Sequence, residues 1–390
     1  MDSSEYEQLV SRAEQLVLLT STLSSASKVR DDALSLQISR LSGQLGQIQT
    51  HLGLNPVPAA PAPISILDGV RHSSLYLRDG NLVIAAPVLE GAGGTLLFRV
   101  HQSMLSMQSP VFASMFTLPP PGTNLDVYDG VPYVHLPDDS RDIESVLKVL
   151  YDPFELPHKR LDPKTPIRVR RALAMATKYE MDNLRNRIVT QVEADWPSSL
   201  AEWDRLEMEA RALQEEHDAN DEQKVDGLYL DDRLPEPITA IRLSRDFQIP
   251  KILPAAVYHL SRLHVGDDWL QLRQEPNQLQ LTRTARWDLA EAEDLKMLLR
   301  VRETISDFPL VRPKASNSCT SPSECRRWRD TRHFIWITEK DILQVMRKFI
   351  EARPSRSLCK YCWNDAKSVI ETDREELWAD IVAAIAEFDK

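Results

Sequence analysis

The sequence predicts an α+β unit followed by a mostly α-helical domain, with a separate helix in front. Three observations lead there. Leu96, Phe98 and Val100 alternate with Leu97 and Arg99, the period of a half-buried strand, and the pattern then switches at once to helical spacing through Leu105 and Val111–Phe116. From residue 237 onward apolar residues recur at helical spacing, with no glycine-rich strand–turn–helix between them. All eight tryptophans lie at or after Trp196, a compositional step that marks a second core.

Residues 1–53 form the first segment. Tyr6, Leu9, Ala13, Leu16, Thr20 and Leu23 step by three and four. After an interruption at Ser27 and Arg30, Leu34, Ile38, Leu41, Leu45, Ile48 and Leu52 resume in shifted order, as a stutter does. This is either an oligomerisation coiled coil or an amphipathic helix that packs on its own domain. Residues 54–66, with Pro56, Pro58, Pro61 and Pro63, are a semi-rigid extended linker.

Residues 67–195 carry the α+β signals. Leu82–Ala86 reads as the first strand, and Gly91, Gly93 and Gly94 permit a hairpin back to Leu96–Val100. Ser109 is a good N-cap and Pro110 fits the first helical position, which places Phe112, Met115 and Phe116 on one short helix. Val131–Leu136 reads as a third strand. Ile143, Val146, Leu147 and Leu150 share a helical face that ends at Asp152-Pro153, and Leu173–Tyr179 and Leu184–Val192 make a closing helical pair.

Residues 196–237 are an acidic linker and helix, with 13 acids against 4 bases over 201–237, read as a solvated face rather than a docking surface. Residues 238–390 are the helical C-terminal domain. Its last helix is predicted to begin at the capping-box pattern near Thr372 and to bury Leu377, Trp378, Ile381, Ile385 and Phe388.

The run Phe98-Arg-Val-His101-Gln-Ser-Met-Leu105-Ser-Met-Gln-Ser109-Pro110-Val-Phe112-Ala-Ser-Met115-Phe116 resembles the centre of the BTB/POZ domain, a protein–protein interaction fold. Val100, Asp79-Gly80 before it, and Tyr151 and Tyr179 after it, fall where that family places similar residues. Further on, Arg242–Leu260, with Trp196-Pro197 and a closing Cys/Trp-containing tail, resembles a basidiomycete fungal group that carries a BTB domain. The resemblance implies a small sheet with a helical cluster, homo-oligomerisation and protein partners. It also gives His101 and Asp79 structural roles.

Many BTB proteins resemble adaptors of cullin-type ubiquitin ligases, and others act in transcription and chromatin regulation. Cullin-binding members place a hydrophobic-x-Glu motif just after the M-F helix, whereas Met115-Phe116-Thr-Leu118 here runs into Pro119-Pro120-Pro121-Gly122. Self-association therefore ranks above cullin recruitment, with a transcription regulator as a further alternative.

The main chemical candidate is Cys319, Cys325, Cys359 and Cys362. Cys359-Lys-Tyr-Cys362 has the spacing that lets two thiolates reach one tetrahedral zinc, and His333 is a spare ligand. Cys319 and Cys325 are spaced more widely than a usual zinc knuckle. Three readings stay open: a structural zinc, four reduced thiols packed as core residues, and a redox pair or disulfide. No other cofactor is expected.

Nor is an enzyme expected, because no G-x-S-x-G, Walker A, H-E-x-x-H or G-x-G-x-x-G pattern is present. Residues 300–360 hold 14 Lys or Arg against 7 Asp or Glu. They lack a nucleic-acid-reading motif, so they read as a solvated face or one paired with residues 201–237. The net charge of −11 also argues against nucleic acid as a partner. No run approaches the ~20 apolar residues of a membrane span. With no secretory signal and only four cysteines, the expected location is intracellular, cytoplasm or nucleus.

Overall fold

In the computed structural model, residues 68–89, 93–118, 127–219, 225, 227–274, 283–311, 313–337, 340–352 and 358–388 are described, with the backbone alone at 272 and 331–337. The predicted coiled coil of 1–53, the linker 54–66 and the run Pro119-Pro120-Pro121-Gly122 lie outside the described residues, as does the side chain of His333. The chain divides into two compact units, residues 1–147 and 148–390.

The first unit is α+β, as the alternating pattern predicts. Its strands are β1 (Val70–Tyr76), β2 (Leu82–Pro87), β3 (Thr95–Val100), β4 (Val127–Tyr128) and β5 (Val131–His135), in the sheet order β1-β3-β2-β5-β4. The β2–β3 hairpin is antiparallel, with Ile84 opposite Phe98. β1 with β3 and β2 with β5 are parallel, so the sheet is mixed. One face carries Leu82, Ile84, Phe98 and Val100. The other carries Val83, Ala85 and Leu97 beneath the partly buried Tyr76, Tyr128, Val131 and Tyr133.

Strand β1 is not visible in the alternation, because Val-Arg-His-Ser-Ser-Leu-Tyr has no apolar stripe. Its register with β3 shifts between Arg71 and Tyr76. There the His72 Nδ1 accepts the backbone N–H groups of Ser74 and Leu75 at 3.2 and 3.0 Å, and the ring stacks on Phe98 at 5.1 Å. A side chain thus satisfies donors that the strand ladder misses.

Helices α1 (Gln102–Gln108) and α2 (Pro110–Thr117) follow β3 directly. Helix α3 (Ser140–Tyr151) carries the boundary between the units, and its Glu144 lies 3.3 Å from His72 Nε2.

The second unit is helical. Helices α4 (Thr165–Lys178) and α5 (Asp182–Asp195) form a hairpin through Glu180, whose φ is 52°. Then come α6 (Leu200–Asp218), α7 (Pro237–Phe247), α8 (Leu253–Arg262), the short α9 (Trp269–Gln274) and α10 (Ala292–Asp307). The last three are α11 (Pro322–Ile337), α12 (Ile342–Glu351) and α13 (Lys360–Phe388). Helix α4 packs on α7, α7 on α8, α8 on α10, and α13 on α10 and α12.

The start of α13 corrects one expectation. The pattern at Thr372 does not begin the helix; it lies mid-helix, and Thr372 Oγ1 donates back to the Ser368 carbonyl. No described helix is long and apolar enough to cross a membrane.

Candidate metal centre and buried ionic centre

Two clusters in the second unit bring chemistry-bearing side chains together. The first is the cysteine set. Cys319 lies in an irregular segment, Cys325 in the first turn of α11, Cys359 immediately before α13 and Cys362 in its first turn. Folding brings the four sulfurs within 4.8 Å of one another, and none is in a disulfide. A tetrahedral zinc with Zn–S bonds of about 2.3 Å places its sulfurs about 3.8 Å apart. Cys319 and Cys359 stand at 3.9 Å. The donor set and spacing therefore fit a metal centre with four thiolate ligands.

The surroundings bring hydrogen-bond donors to the sulfurs. The Cys359 N–H points to the Cys325 sulfur at 3.3 Å and the Ser316 N–H to that of Cys362 at 3.4 Å. Arg329 Nη1 lies 3.9 Å from Cys362. The first turns of α11 and α13 each supply a cysteine, so two positive helix ends face the cluster. Backbone N–H groups of Cys362 and Thr320 lower the Cys359 thiol to about 5. Burial instead pushes the Cys362 thiol up to about 12, and raises that of Cys325.

The pair read easily from spacing is Cys359 and Cys362. Their companions come from a run spaced too widely for a knuckle, and folding brings all four together. Ser316 and Thr320 carry no sequence signal, and Arg329 is legible only as part of the basic stretch 300–360, because their contacts span up to 46 residues of irregular chain and helix rather than a motif.

The second cluster is apolar with charges inside. Trp203, Tyr258 and Trp378 pack around one point, with Trp203 and Tyr258 edge to face at 5.4 Å. The Arg262 guanidinium lies 4.8 Å over Trp203 and 5.5 Å over Tyr258. It grips both oxygens of Glu207, at 2.9 and 3.0 Å, and also reaches Asp341. Arg283 shares Glu207 at 2.9 Å.

Burial alone raises the Glu207 carboxyl, but the two guanidinium groups win and hold it well below the usual carboxylate range. His259 accepts from Arg262 at Nδ1, 2.6 Å away, and burial beside these cations drives its basicity far down. The Tyr258 hydroxyl donates to Asp341 at 2.9 Å and accepts from the Leu343 N–H. Beside this knot Asp204 takes a bidentate grip from Arg374 and pairs with Arg347 at 3.4 Å.

Here the acidic run departs from a solvated face. Glu207, Asp231 and Glu236 are buried, and Asp204 pairs with Arg347 of the basic stretch. Arg326 of that stretch stays exposed, 3.9 Å from Asp330.

The residues named for the resemblance sit mostly in the first unit. Asp79 and Gly80 make the turn before β2, and a Cβ on Gly80 would come within 2.9 Å of the Arg99 and Val100 backbone, so the turn requires glycine. Phe98, Val100 and Leu105 are buried. His101 lies half-exposed at the β3–α1 corner, with Nε2 3.3 Å from Asp79 Oδ2 and its carbonyl accepting from Met104 and Leu105.

Ser109 Oγ accepts the Phe112 N–H at 3.1 Å with Pro110 next in the chain, which is the predicted cap. Phe112 stacks on Phe116 at 5.9 Å, and Met115 and Phe116 are half-buried. Tyr151 ends α3, and the buried Tyr179 follows α4, both in the second unit. Compared with known proteins, the chain matches no family model and no curated protein.

Proposed function

We propose that this is a non-enzymatic protein-interaction protein. Its first unit acts as a BTB/POZ-type domain that self-associates or docks partner proteins, and its second unit is tied together by a structural zinc on Cys319, Cys325, Cys359 and Cys362. The observation that supports the interaction reading is the apolar surface of α1 and α2. Met107 on α1 and Leu118, the residue that follows α2, are each 69% exposed, with Met104, Val111, Met115 and Phe116 half-exposed on the two helices. Monomeric proteins rarely leave contiguous apolar surface open, and methionine adapts to varied partners. The corner that carries these helices is held by side chains: the Gln102 N–H donates to Asn81 at 2.8 Å, and Ser109 caps α2.

For the metal, the four thiols within 4.8 Å of one another are a soft, four-sulfur donor set that suits zinc, as it also suits copper(I) or iron, and does not suit magnesium, calcium or manganese. When bound, the metal would supply four bonds joining residues 319–325 to 359–362. It would be structural, because all four positions are taken by protein.

The test uses the full chain and its M107D/L118D double variant, both checked for folding by far-ultraviolet circular dichroism. Mass in solution comes from light scattering, and partners from co-purification with mass spectrometry in the native cell. Loss of self-association or of partners in the variant supports the reading. Identical mass and identical partners sink it. Cullin subunits among the lost partners would specify an adaptor, and chromatin factors a regulator. Metal content by native mass spectrometry tests the zinc, with one ion per chain expected.

A further inference from the structure

The four sulfurs are not equivalent. Cys325 and Cys362 are buried, at 0% and 2% exposure, whereas Cys319 and Cys359 are half-exposed. The two outer sulfurs are also close to each other, at 3.9 Å. Both sit outside helices: Cys319 in the irregular stretch after a turn at 317–318, Cys359 one residue before α13 begins. Closing 3.9 Å to a disulfide bond of about 2.05 Å needs roughly 2 Å of movement, which irregular backbone accommodates.

The inner pair is differently placed. Cys325 and Cys362 each lie within the first turn of a helix, and their sulfurs already accept from backbone N–H groups of Cys359 and Ser316. Moving either means moving the first turn of a helix and breaking a part-buried hydrogen bond. Arg329 further fixes Cys362 at 3.9 Å. Exposure and a place outside a helix thus coincide on one pair, and burial within a helix on the other.

We propose that Cys319 and Cys359 form an oxidation site, at which a peroxide-class oxidant makes a disulfide between them before any other pair reacts. The proposal rests on the reading that the four thiols form one centre. In the step, one thiolate attacks a peroxide oxygen, breaking the O–O bond and giving a sulfenic acid and water. The second thiolate attacks that sulfur and displaces hydroxide. Two thiolates, one hydrogen peroxide and two protons become one disulfide and two waters.

A zinc at this centre then keeps only Cys325 and Cys362 as ligands and is released. The disulfide takes over the tie between the irregular segment and the start of α13. Oxidation therefore exchanges one link for another and expels the ion.

The test treats the full-length zinc-loaded protein with increasing hydrogen peroxide. Released zinc is read with a colorimetric chelator, and the remaining thiols are alkylated under denaturant before tryptic digestion. Cleavage after Lys360 separates Cys359 from Cys362, and fragmentation of peptide 315–326 separates Cys319 from Cys325. The expected result is a first disulfide linking Cys319 to Cys359, a loss of two hydrogens, one zinc released per chain, and alkylated Cys325 and Cys362.

A first disulfide of Cys359 with Cys362, or any that includes Cys325, overturns the proposal. So does a protein whose Cys319 and Cys359 reach sulfinic acid without pairing. C319S, checked for an unchanged thermal transition, is expected to abolish the disulfide. If it fails to fold, C359S serves the same purpose. Protein that carries no zinc yet forms the Cys319–Cys359 bond would overturn the zinc reading and leave this one standing. Zinc-loaded protein that pairs other cysteines does the reverse.

Discussion

Helix α13 passes through two centres built on different principles. At its start, Cys362 joins three other thiols, with the Arg329 guanidinium 3.9 Å away beside them. Further along, Arg374 and Trp378 enter a cluster in which each carboxylate faces at least one guanidinium. Glu207 is matched by Arg262 and Arg283, Asp204 by Arg347 and Arg374, and Tyr258 by Asp341. The ionic centre draws its counter-charges from the protein itself, with the Arg262 Nε left without a hydrogen-bond partner. The thiol centre, on the reading proposed above, is completed by a zinc held at four sulfurs of metal-ligand spacing. One centre should therefore respond to mutation and ignore chelators, and the other should respond to both.

The largest expected effect is on the ionic centre. Glu207→Ala leaves two guanidinium groups facing a cavity, with Arg262 only 7% exposed at its side chain. Breaking a buried pair from one side costs about 3–5 kcal/mol, because the remaining charge stays desolvated. Urea unfolding followed by tryptophan fluorescence measures it, since Trp203 and Trp378 flank the site. A loss under about 1 kcal/mol would show that Asp341 alone satisfies Arg262, and the centre would no longer count as a knot of matched charges.

Removing metal should cost somewhat less. At a free zinc concentration about 100-fold above its dissociation constant, binding stabilises the folded state by about 2.7 kcal/mol, and a chelator abolishes this. The same loss is expected for Cys362→Ser, with no further effect of the chelator on that variant. Limited proteolysis should place the weakening at 313–325, where Pro313 and Cys325 are buried but the chain from 314 to 321 is irregular. If chelation leaves the unfolding curve of the native sequence unchanged, the thiol centre is as self-sufficient as the ionic one and the contrast fails.

The two centres also differ in how far the sequence reveals them. Cys359-x-x-Cys362 is legible because the ligand geometry of a metal fits a short local spacing, and the alternation at Leu96–Val100 and the cap at Ser109 are legible for the same local reason. Nothing local connects Glu207 to Arg262, 55 residues away, or Asp204 to Arg374, 170 away. An acidic run looks alike whether it faces water or a buried arginine, so the composition of 201–237 points outward where the fold turns part of it inward.

Strand β1 stays hidden because its edge position is fixed by His72 and not by an apolar stripe. The expectation that α13 begins at Thr372 fails for another reason. A capping pattern is only a tendency, and tertiary burial of Cys362, Ala366 and Ile370 carries the helix back to Lys360.

The smallest effect sharpens the contrast between burial with a charged partner in hydrogen-bond contact and burial without one. Asp195, like Glu207, is buried, at 4% exposure, but it has one backbone donor, the Leu161 N–H at 2.9 Å, and Arg160 no nearer than 4.0 Å. Desolvation therefore wins, and its carboxyl rises to about 6, where that of Glu207 falls. A folded pKa above the unfolded 3.8 means that the folded state binds the proton more tightly. Its contribution is fully favourable below about pH 4, falls as pH rises through the window from about 4 to about 6, and stays unfavourable above it.

Asp195→Asn keeps an oxygen for the Leu161 N–H and never ionises. It should raise stability at about pH 7 by about 1–2 kcal/mol, less than the full conversion of the shift because Arg160 and water offset part of it. The gain should vanish below about pH 4. Thermal unfolding of both proteins from about pH 4 to about pH 7 measures this directly. A variant equally destabilised at every pH would mean that the charged oxygen is needed by Leu161, and that burial of a carboxylate here is matched after all.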